Sequence, residues 1–86
     1  MHTVELLNEA VETARRLGYE VRHDWLGGNG GGHCLVRGRK WLLLDVAQSA
    51  DEQLDVVAEA LRQEHGAKQA IKSAELAKRL DVLHAA

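Results

Sequence analysis

Apolar and polar positions along this chain follow two periods, and the switches between them mark the elements. Val4, Leu7, Val11 and Ala14 recur at helical spacing, with Glu5, Glu9 and Glu12 turned the other way. The spacing predicts a helix over 3–17, with Thr3 as its N-cap. Arg15 and Arg16 sit in the last turn, where the helix dipole favours cations, and Gly18 supplies a left-handed stop. From Tyr19 to Leu26 the period drops to two: Tyr19, Val21, His23 and Trp25 against Glu20, Arg22, Asp24 and Leu26. A strand is predicted over 19–26. The run Gly27-Gly28-Asn29-Gly30-Gly31-Gly32 interrupts it, and strand patterning resumes over 33–37 and 40–45, with Gly38-Arg39 as a two-residue turn. Ser49-Ala50-Asp51-Glu52 is a capping box opening a helix over 50–65, striped by Leu54, Val57, Ala58 and Leu61 and stopped by Gly66. A last helix is predicted over 68–83, with Leu76, Leu80 and Leu83 on one stripe.

The order implies a single α+β domain over 1–86: a helix, a three-stranded antiparallel sheet made of two hairpins, then two helices. With Arg37 paired to Lys40, Cys34 and Val36 share a face with Trp41 and Leu43, while Leu35, Leu42 and Leu44 share the other. Both faces of this hairpin are therefore apolar, and a sheet covered on one side alone should alternate more cleanly. The second face needs cover, from the C-terminal helix or from another chain.

Composition changes this picture little. Eighty-six residues with 45% hydrophobic and 28% charged content describe one ordinary globular domain. The formal net charge of −2 gives no global case for nucleic acid or an anionic membrane. Its distribution is uneven. Residues 45–66 carry Asp45, Asp51, Glu52, Asp55, Glu59 and Glu64 against Arg62 alone, whereas 19–44 has a net charge of +2. Cys34 is the single cysteine, so no intrachain disulfide forms. No signal-peptide pattern is present, and the longest apolar run, Trp41 to Leu44, is too short to span a bilayer. A cytoplasmic protein is expected.

Four groups of residues carry candidate chemistry. Glycine lets backbone N–H groups converge on an anion, which makes Gly28, Asn29, Gly30 and Gly31, with His33 and Cys34, the candidate ligand site. Yet no Lys-Ser or Lys-Thr follows the run, His33 stands where a dinucleotide fingerprint needs its third glycine, and the run leads into a strand. A connection requiring positive φ explains it structurally. Secondly, His23, His33 and Cys34 offer soft-metal ligands, or a thiol nucleophile with His23 as base. No C-x-x-C or H-E-x-x-H spacing supports either, and a hairpin of the first two strands puts His33 on the face opposite Cys34, with His23 on the same face as Cys34 but diagonal to it. No metal site and no cofactor are expected. Thirdly, Arg37, Arg39, Lys40 and Trp41 make a basic hairpin tip with an aromatic, able to contact phosphates and stack on bases. Lastly, Asp51, Glu52, Asp55 and Glu59 read as the solvated face of an amphipathic helix.

Between Ala14 and His65, Leu17-Gly18-Tyr19-Glu20-Val21, the glycine run, Trp41-Leu42-Leu43-Leu44-Asp45 and the cap Ser49 to Gln53 lead into the helix Val57-Ala58-Glu59-Ala60-Leu61-Arg62. This order resembles the zinc-peptidase-like domain of the ImmA/IrrE family. The resemblance implies a fold of the same architecture. With Glu59 at the motif's glutamate, Ala58 and Arg62 replace the zinc-binding histidines, so neither the metal nor peptidase activity is implied.

No complete catalytic constellation is present, and the sequence leans away from an enzyme. The leading expectation is a non-enzymatic interaction module, a homodimer or one bound to a single protein partner. Its surface would be Leu35, Leu42 and Leu44, or the stripe Leu76, Leu80 and Leu83. A small-ligand or metal-binding degenerate enzyme is the second reading, and nucleic-acid binding the third.

Overall fold

The structure is a computed structural model that describes the backbone of residues 2–85 and the side chains of residues 2–80. Leu83, assigned above to an interface stripe, has its side chain outside the described residues. The elements are α1 (Thr3–Arg16), β1 (Tyr19–Asp24), β2 (Gly32–Val36), β3 (Arg39–Asp45), α2 (Ala50–Arg62), α3 (Ala67–Ala70) and α4 (Ala74–Ala85). The fold is α+β, as the periodicity predicts.

Strand order departs from the two-hairpin expectation. β3 lies in the middle, antiparallel to β2 and parallel to β1, so the sheet is mixed. The physical reason lies in the strands themselves. Trp41-Leu42-Leu43-Leu44 is the most apolar segment of the chain, and the central position hides it best. β1 and β2 take the two edges, and the glycine-rich connection carries the chain from one edge to the other.

The β2–β3 hairpin is real, but its turn is Arg37-Gly38, with φ of 51° and 79°, which is a type I′ geometry. Val36 therefore pairs with Arg39, and Cys34 with Trp41. The register is two residues away from the one inferred, and a shift of two leaves every side chain on its expected face.

Leu42 and Leu44 are fully buried against Leu6, Leu7, Ala10, Val11 and Ala14 of α1 and Leu54, Val57, Ala58 and Leu61 of α2. Tyr19 joins them from β1, and α4 closes the layer by packing on α1 and α2 through Leu76 and Leu80. Ala10, Ala14, Ala58 and Ala60 are fully buried, and their small side chains let the two long helices approach closely.

Local chemistry sets the element ends. His2, not Thr3, takes the N-cap position of α1 and offers no side-chain bond. Thr13 is buried within α1 because its hydroxyl donates back to the Glu9 carbonyl at 2.8 Å. Ser49 and Glu52 form the expected capping box of α2. The last predicted helix is broken at Ile71–Ser73. Ser73 caps α4 by accepting from the Leu76 N–H at 3.0 Å, and its own N–H donates to the Glu9 carboxylate at 2.9 Å.

Two substitutions test this account by urea denaturation. A Cβ at Gly31 would sit 1.8 Å from the Leu43 carbonyl oxygen, so Gly31→Ala is expected to cost about 3 kcal/mol through forced backbone displacement. Arg37 holds a left-handed φ without being glycine. Arg37→Asn should therefore stabilise the chain by about 1 kcal/mol.

Candidate functional site

The glycine run does build an anion-binding concavity, and the anion is the chain's own. Gly27, Gly28 and Gly30 adopt φ of 69°, 85° and 89°, which folds the connection over the end of β3. There the Asp45 carboxylate is fully buried. Its Oδ1 accepts from the Leu26 N–H at 3.0 Å and from the Ala47 N–H at 2.9 Å, and its Oδ2 accepts from the Gly30 N–H at 3.0 Å. Asn29 turns back to donate its side-chain amide to the Leu26 carbonyl at 2.9 Å. Burial pushes the Asp45 carboxyl up, but hydrogen bonds from the Gly30, Ala47, Leu26 and Gly28 backbones outweigh it and hold the group below its ordinary value. Gly28, Asn29, Gly30 and Gly31 thus serve a buried acid that sequence reasoning left among the surface charges. The available signal was an aspartate ending an apolar strand after a glycine run rich in free N–H groups.

The thiol and the imidazoles do not come together. By register, His23 of β1 and His33 of β2 lie on the Leu42/Leu44 side of the sheet, while Cys34 lies on the Trp41 side. The expected shared face of His23 and Cys34 depended on a β1–β2 hairpin. The central position of β3 removes it, and with it a Cys34–His23 nucleophile and base. Among the described residues no group of three or more His, Cys, Asp or Glu side chains is placed to hold a metal ion.

The basic hairpin tip is divided between the two faces. Arg39 pairs with Glu20 at 3.3 Å. Lys40 points to the helix side, where its ammonium donates to the Leu17 carbonyl and pairs with Glu64 at 3.1 Å, 5.0 Å from the Tyr19 ring centre. Burial, then the charge and hydrogen bond of Glu64, raise the Tyr19 phenol to about 12, so it stays protonated at neutral pH. Trp41 lies on the far face and Arg37 is exposed at the turn. On α2, Asp51 and Asp55 hold Arg79 of α4 at 3.1 and 2.8 Å, and Glu59 holds Arg62 at 2.7 Å.

Of the residues expected to meet a partner, Leu42, Leu44, Leu76 and Leu80 are consumed by the chain's own core. Leu35 is 69% exposed. The uncovered side is the other one. Trp41, Leu43, Cys34 and Val36, bordered by Arg22 and Asp24, line a shallow groove of about 470 Å³ to which no helix contributes a lining residue among the described residues.

The Asp45 geometry fixes a pH dependence. A carboxyl depressed by folding contributes stability that is fully present above its unfolded value and lost as pH falls through its folded one. Asp45→Asn keeps the shape but turns an amide N–H toward backbone donors. It should lower the Tm by roughly 10 °C at neutral pH, with the gap to the unsubstituted protein narrowing below about pH 4 in circular dichroism melts. The chain matches no protein-family model, and neither a curated protein nor a solved structure matches it.

Proposed function

We propose that this protein is a small non-enzymatic interaction module that self-associates through the hairpin side of its sheet. One observation carries the reading: among the described residues α1 and α2 pack on a single face of a three-stranded sheet, leaving Val36 and Cys34 exposed and Trp41 and Leu43 half-buried on the other. Leu35 and Val36, 69% and 49% exposed, continue that apolar surface around the edge of β2. Scattered exposed apolar residues are ordinary, but a contiguous apolar stretch along one strand and its adjoining face marks a contact surface.

The polar groups with catalytic potential support the same reading. Asp45 is enclosed by backbone donors, Lys40 is bound to Leu17 and Glu64, and Cys34 is on the opposite side of the sheet from both strand histidines. Among the described residues no helix is long and apolar enough to cross a membrane. A reducing compartment such as the cytoplasm suits the exposed thiol of Cys34.

Sedimentation velocity under reducing conditions tests the proposal. At micromolar concentration a species of twice the 9.5 kDa chain mass is expected, dissociating on dilution. A single 9.5 kDa species across the whole micromolar range overturns it.

A further inference from the structure

We propose that two copies of this chain join edge to edge through β2, antiparallel, about a two-fold axis passing between their Cys34 residues. The proposal rests on the self-association reading above and names its geometry.

The two edges of the sheet differ. β1 carries Glu20, Arg22 and Asp24, charges that discourage strand addition. β2 reads Gly-His-Cys-Leu-Val: no proline, no acid, no lysine or arginine, and an unbroken register with β3. Its own residues supply none of the charges or prolines that usually protect an edge.

The hairpin decides which groups face outward. A two-residue type I′ turn makes Val36–Arg39 a hydrogen-bonded pair, so Cys34–Trp41 is one as well. His33 and Leu35 then turn their N–H and C=O groups away from β3, toward the free edge. In a symmetric antiparallel pair, outward groups must meet outward groups. Axes at His33, Cys34 or Leu35 satisfy this, and only the axis at Cys34 pairs all five residues of the strand. His33 then exchanges hydrogen bonds with Leu35 of the second copy, and Leu35 with His33. Cys34 meets Cys34 in a non-hydrogen-bonded pair, and Gly32 faces Val36.

Gly32 is compatible with this axis: a Cβ built on it meets nothing within 4 Å, so the position is open to the Val36 side chain of the second copy. Asp55 and Glu59 line the same edge from α2; Asp55 shares Arg79 with Asp51 and Glu59 holds Arg62, so the two α2 helices bring largely paired carboxylates toward each other. The grooves on the Trp41 faces of the two copies become continuous across the axis.

The test combines sedimentation with thiol cross-linking. In a non-hydrogen-bonded pair the Cα atoms lie about 4.5 Å apart, within disulfide range. Diamide, which takes two electrons and two protons from two thiols as the S–S bond forms, should link Cys34 to Cys34. It should do so at least about tenfold faster than it links the Leu35→Cys, Cys34→Ser double variant, whose new thiols face His33 across the axis. Leu35→Pro removes an outward N–H without touching the β2–β3 ladder. It should abolish the dimer while leaving the circular dichroism of the fold. If that variant unfolds, Leu35→Lys decides in its place by the same readouts. A dimer that survives either folded variant, or that cross-links no faster than the control, overturns the edge register and leaves self-association standing. A chain that is monomeric throughout overturns both.

Discussion

The sheet depends on how the chain satisfies one buried carboxylate at the end of its central strand. Among the described residues no cation pairs with Asp45. Backbone N–H groups from Leu26, Gly30 and Ala47 hold it, two of them drawn from the connection between β1 and β2. An acid buried without such donors would be very costly, so loop and carboxylate require one another. The loop must pass over this end of the sheet. In doing so it carries the chain from one edge to the other and leaves the middle open for β3. The parallel β1–β3 pairing follows from the same arrangement, and the Val46 N–H donating to the Asp24 carbonyl at 2.9 Å fastens the ends of those strands beside it.

That dependence explains the glycine content better than mobility does. Gly27, Gly28 and Gly30 supply left-handed backbone so that the Leu26 and Gly30 N–H groups turn inward, and Gly31 lies too close to the Leu43 carbonyl for any side chain. The ordering entropy of this run is offset by charge-assisted bonds to a group that cannot leave. A site of this construction resembles a phosphate cradle in its donors and differs in its occupant.

Much of the fold was legible from the residues. The Leu7, Val11 and Ala14 stripe of α1, the Ser49–Glu52 box and the alternation of β1 are local signals, and the structure keeps them, while Val4 at the start of the predicted stripe is exposed. The faces of the β2–β3 hairpin were legible despite a register error, because the error was an even number of residues. Strand order was not legible, since it depends on whether a seven-residue connection closes a hairpin or bridges two edges, and local pattern is the same for both. The break in the last helix was hidden for a similar reason. Ser73 ends one segment and caps another only because Glu9, far away in sequence, accepts its N–H. Asp45 looked like one of six acids in a charged stretch, and its role appears only when the loop folds over it.

The contrast between the two sheet edges is the last step. Exposed edges invite pairing, and β1 shows that this chain can protect one, with three charged residues in six. The same device on β2 would require only a lysine at Leu35, which is exposed and packs on nothing that the core needs. Solubility alone favours that change, so an uncharged, well-formed edge next to an uncovered apolar groove makes sense where both surfaces are covered together. The edge pairing through β2 proposed above would cover the first directly and set two copies of the second side by side, giving a surface about twice as wide as either chain presents alone. A domain this small has little core to spare for a binding site of its own. Doubling its sheet is an economical way to acquire one.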